Sequence, residues 1–222
     1  MWARRSALET KRQQIIEAAA LAGMIGPGLF GLVLLALTSL QYDFMLEIGW
    51  RPLADPAGAW PSGLTLGPYG PVQVANFVVS GLLLAIFALG LRLGLTDGRG
   101  SRHGTSLLMA AGASMALMGF ETDPIQRVGP RSLHGTIHDT AFVLFVFTFL
   151  AALVVLWRRF EGDPLWRTHA LYTLATCILA MLLLLLPGVA FYLFIATLLA
   201  WIEVSAIRLW HLPQASMVGP AR

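Results

Sequence analysis

Residues 167–210 read RTHALYTLATCILAMLLLLLPGVAFYLFIATLLAWIEVSAIRLW. Each half reaches the roughly 17–25 residues that a helix needs to cross hydrocarbon, and only Pro187 and Gly188 separate them. Pro cannot continue a helix and Gly allows a tight turn, so the stretch predicts two antiparallel membrane helices.

The same reading extends outward along the chain. Of 222 residues, 57% are hydrophobic and 12% are charged, against about 25% charged in a soluble domain. Six segments have the length and apolarity of a span: about 15–40, 72–95, 104–121, 134–157, 167–187 and 189–210. The expectation is an all-α, polytopic six-helix transmembrane bundle forming a single domain over 1–222. The third segment is short and rich in small residues, as suits a helix packed inside a bundle. Pro27, within Gly26-Pro27-Gly28, is expected to kink the first. That first run is longer than a signal-peptide core and no small-x-small site closes it, so it is expected to be retained.

Charge then sets orientation. Twelve of the fifteen basic residues fall on one side of the six-span arrangement, and only Arg51, Arg127 and Arg131 fall on the other. The basic side is expected to be cytoplasmic and to carry both termini. Scattered at span ends, the basic residues form no patch for nucleic acid. Cys177 is the single cysteine and lies inside an apolar run, so no disulfide framework exists.

The outer side is acidic, with Asp43, Glu47, Asp55, Glu121, Asp123 and Asp139. His134 and His138 are spaced i, i+4 at the start of the fourth span and share a helix face, a spacing that can put two imidazoles on one metal ion. Asp123 supplies a third ligand in this reading, with Glu121 and Asp139 as candidate catalytic acids or bases. Gln73, Asn76 and Ser80 form a polar stripe on the second span, and Tyr42 and Glu47 follow the first; all five are expected to line one outer pocket. A plainer reading stands beside this one: solvated loop acids, a helix cap at Ser132, and interhelical hydrogen bonds from Gln73 and Asn76.

Tyr42 with its acidic loop, PVQVANFVVSGLLL at 71–84, GFETDP at 119–124 and LHGTIHD at 133–139 together resemble the bacterial multi-pass family called domain of unknown function 998. The resemblance runs from about residue 20 to 210 and implies a six-span membrane protein. Asp123, His134, Gly135 and His138 match the family's pattern. Glu121 stands where proline is common, and the last span lacks the family's Glu-Arg pair unless Glu203 takes part of that role.

On the inner side, Glu203 is the one acid deep in a span and calls for a partner. His169, Tyr172 and Arg208 are in reach, and a structural clasp is expected. A retinal protein is excluded because the one lysine is Lys11, and there is no P-loop, dinucleotide fingerprint or Gly-x-Ser-x-Gly elbow. Three functional readings stay open. One is a hydrolase or transferase on a lipid-type substrate with Zn²⁺ or another divalent metal. The second is a non-catalytic accessory or scaffold subunit bound to other membrane proteins in the bilayer. The third is a small transporter.

Overall fold

The computed structural model describes residues 2–51, 61–95, 98–124, 127–186 and 189–217, with side chains within 9–212. The predicted turn at Pro187-Gly188, and Asp55 and Trp60 of the outer loop, lie outside the described residues.

The described chain is helical almost throughout. Its long helices are α1 (Trp2–Leu40), α3 (Gly70–Gly94), α4 (Arg99–Leu117), α5 (Leu133–Glu161), α6 (Arg167–Leu184) and α7 (Ala190–Met217). Between α1 and α3 lie the one-turn helix α2 (Tyr42–Glu47) and a 3₁₀ turn, Pro61–Leu66. Helix α1 continues through Pro27.

Five helices are long and apolar enough to cross a membrane: Glu9–Leu40, Gly70–Gly94, Leu133–Glu161, Arg167–Leu184 and Ala190–Leu212. Helix α4, over the third expected span, is not among them. Its Gly, Ser and Thr content lowers its hydropathy, yet Ser101, Gly104, Thr105, Gly112 and Ser114 are all buried against neighbouring helices.

The six long helices close a ring in chain order. Each packs on the next, and α7 returns to pack on α1. Neighbours run antiparallel throughout: Phe30 meets Asn76 near one end of α1 and α3, while a Cβ on Gly90 would meet Ala19 near the other. Between α3 and α4 the backbones approach so closely that a Cβ on Gly81 would lie 2.5 Å from the Gly112 carbonyl oxygen. Only glycines permit that approach.

The main core fills the ring's interior. Trp201 is buried there, with its ring edge-on to Phe149 at 5.7 Å and its indole N–H donating to Thr173 at 3.1 Å. The outside of the ring stays apolar, with Phe147 70% and Leu185 80% exposed. In water that surface would be costly; in hydrocarbon it is ordinary.

Candidate functional site

Residues 118–124 and 127–139 form a clasp between the end of α4 and the start of α5. Ser132 caps α5, its hydroxyl accepting the Gly135 N–H at 2.9 Å. Asp123 reaches back across the loop, and its Oδ2 accepts the Ser132 N–H at 2.9 Å. Arg127 pairs with the other carboxylate oxygen at 3.3 Å. The Ser132 hydroxyl and amide, with the Arg127 and Arg131 charges, hold the Asp123 carboxyl below its ordinary value, outweighing partial desolvation. Gly135 leaves room for this contact, because a Cβ would sit 2.6 Å from the Asp123 carboxylate carbon and would displace it.

His138 closes the clasp from the other side. It is buried, and its Nδ1 lies 2.9 Å from the Met118 carbonyl and 2.8 Å from that of Phe120. Carbonyls only accept, so Nδ1 carries a proton and donates to them. The ring thereby supplies a donor to two carbonyls just past the end of α4, at its C-cap Met118 and at Phe120. Phe77 meets the His138 ring edge-on at 6.0 Å.

The remaining predicted residues are placed as follows. His134 is exposed and lies against Phe120, ring centroids 5.7 Å apart. Asp139 pairs with Arg131 at 2.9 Å. Glu121 is exposed, as are Tyr42 and Glu47. Gln73, Asn76 and Ser80 are buried as one stripe, as their spacing implies. Asn76 ties the stripe to α1: it donates to the Phe30 carbonyl and to Gln73, both at 3.3 Å, and accepts from Ser80 at 3.4 Å, and none of the three lines the cavity beside the clasp. Among the described residues, no group of three or more His, Cys, Asp or Glu side chains is placed to share an ion.

A cavity of about 400 Å³ opens within the ring beside this clasp. From the expected set it takes only His138 and Asp139 into its lining, together with Arg131. Among the described residues its other polar contributors are Ser62 and Thr122, and the rest of that lining is apolar, including Phe77, Met115, Phe142, Phe191, Leu198 and Ile202. The charged lining belongs to the 131–139 end; Leu84 and Ile202 reach toward the middle of the bundle. The sequence carries no periodic mark of this space. Arg131 carries one clue, as one of the few basic residues on the acidic side.

At the other end of the ring, the expected clasp runs through Ser205 instead of Glu203. His169 Nε2 lies 2.8 Å from the Ser205 hydroxyl, and Trp166, Phe160 and Tyr172 surround the imidazole, the last at 5.2 Å. Two residues turn a helix through about 200°, so when Ser205 faces α6 Glu203 does not. Arg208 lies over the Trp166 ring at 5.6 Å and donates to the Leu165 carbonyl.

A family model described as "Protein of unknown function (DUF998)" matches residues 24–208. No curated protein and no solved structure matches the chain significantly.

Proposed function

The chain belongs to the DUF998 family, and from that premise we propose that it crosses the membrane six times and binds a lipid-type ligand in its outer cavity. The observation that carries this reading is the cavity: about 400 Å³, apolar along its depth, with Arg131, His138 and Asp139 its only charged or titratable lining among the described residues. That volume falls within the roughly 300–1,000 Å³ of small-molecule sites. A polar solute would leave its groups unpaired along such a wall, whereas a hydrocarbon chain would not.

The sixth crossing is α4. It lies between α3 and α5, both long and apolar enough to span, and its polar residues are turned into the bundle. The positive-inside bias then places both termini in the cytoplasm and the cavity mouth on the outer side of a bacterial inner membrane.

His138 suggests a chemistry for the bound lipid. With its Nδ1–H held by two carbonyls, the neutral ring would offer Nε2 as a proton acceptor or metal ligand beside the cavity that His138 lines. A metal-dependent hydrolase or transferase is the enzymatic form of the proposal. It requires His134 to leave Phe120 and a carboxylate to leave its present partner. Metal analysis of protein purified without chelator tests that form. It predicts a stoichiometric divalent ion that His134→Ala removes, and protein free of metal counts against it.

Lipid binding itself is tested by titrating detergent-solubilised protein with a fluorescent single-chain amphiphile. Leu198→Trp fills the cavity and is expected to weaken binding at least tenfold, with helicity and melting temperature checked alongside. Ile195→Phe, a smaller intrusion at the same wall, is expected to weaken it less. Undiminished binding by both folded variants refutes the proposal.

A further inference from the structure

We infer that the ligand is a two-chain lipid straddling α5, with one chain in the cavity and the other in a groove on the membrane side of that helix. The inference rests on the lipid-binding reading above and adds the class of lipid.

A second space of about 310 Å³ lies between α5 and the end of α6, and every described residue in its wall is apolar. Its residues include Phe147, Leu150, Met181 and Leu185. Phe147, Met181 and Leu185 are 70%, 51% and 80% exposed on the outside of the ring, where the bilayer covers them. Phe142 and Val143 line both spaces. Those two residues therefore form a common wall, with an interior chamber on one side and a lipid-facing one on the other.

The charged mouth stands over that wall. Asp139 precedes Val143 by four residues, one helical turn, and pairs with Arg131 at 2.9 Å. A head group at Arg131 thus has an apolar slot on either side of α5 beneath it. Arg131 suits the phosphate shared by glycerophospholipids, since a guanidinium binds phosphate oxygens through paired N–H groups. A single-chain amphiphile fills one slot and leaves the other to bulk lipid. Two chains under one head fill both.

The test titrates delipidated protein in detergent with a diacyl phospholipid and with the lysophospholipid of the same head and chain, native mass spectrometry counting bound molecules. The diacyl lipid is expected to bind one per chain and at least tenfold more tightly. Met181→Trp or Leu185→Trp fills the groove from an exposed position and leaves the core untouched. Either variant should bring diacyl affinity down to the lysolipid level without changing lysolipid binding. Leu198→Trp, which fills the cavity, should weaken both. Equal binding of the two lipids by the native chain, or groove variants that leave the preference intact, overturns the two-chain inference while lipid binding stands. Failure of both lipids to bind overturns the lipid reading as well.

Discussion

His138 shows how one side chain can join two helices. Its Nδ1–H serves the Met118 and Phe120 carbonyls while its ring packs on Phe77. His138→Ala leaves both carbonyls short of a donor and should cost about 1–3 kcal/mol, read as a lower melting temperature in detergent. His138→Asn keeps an amide donor near the Nδ1 position and should recover part of that loss. Ser132→Ala removes the cap of α5 and should cost about 1 kcal/mol, by the same measurement. Asp123 adds an acid dependence. Its carboxyl is held below the ordinary 3.8, chiefly by Ser132, so its contribution is complete above the unfolded carboxylate range. That contribution is lost as pH falls through the folded value. Asp123→Asn should therefore be less stable than the native chain at neutral pH and should flatten the acid limb of a stability–pH curve. The titratable residues of 119–139 were visible in the sequence. The partners of Asp123, His138 and Asp139 were not, because the Ser132 amide, the Met118 and Phe120 carbonyls and Arg131 meet them only where the chain between α4 and α5 folds back.

At the scale of elements, α4 is the informative case. By hydropathy it is the weakest of the six long helices, yet it packs along both α3 and α5. Its small residues account for both facts, since Gly and Ser lower apolarity and also let backbones approach. The meeting of Gly81 with Gly112 is the closest approach between α3 and α4 that glycines enforce. Gly112→Ala places a Cβ 2.6 Å from the Gly81 carbonyl oxygen. Both partners there are backbone, so the helices must separate, at a cost of about 1–3 kcal/mol. Thermal denaturation of the purified variant checks this. The polar stripe on α3 was legible from its period, and its burial follows the rule that polar groups in spans turn inward. That it bonds α1 and does not line the cavity depends on how α3 is rotated within the ring, which its own period leaves open.

For the whole molecule, the antiparallel ring makes a prediction about sidedness. Val128 is fully exposed in the α4–α5 loop, and Glu161 is exposed at the opposite end of α5. With Cys177 buried, Val128→Cys in intact cells should react with a membrane-impermeant maleimide, and Glu161→Cys should react only after lysis. Labelling of both from outside would contradict six crossings with cytoplasmic termini.

The membrane class, the approximate long helices and the Ser132 cap were determined by the chain's own order of residues, because length, apolarity and capping act over one helix or one turn. The cavity, the wall shared through Phe142 and Val143, and the partners of His138 and His169 were decided only when six helices closed on one another. Each depends on which face of a nearly all-apolar helix turns inward, and a helix apolar all round leaves that choice to its neighbours.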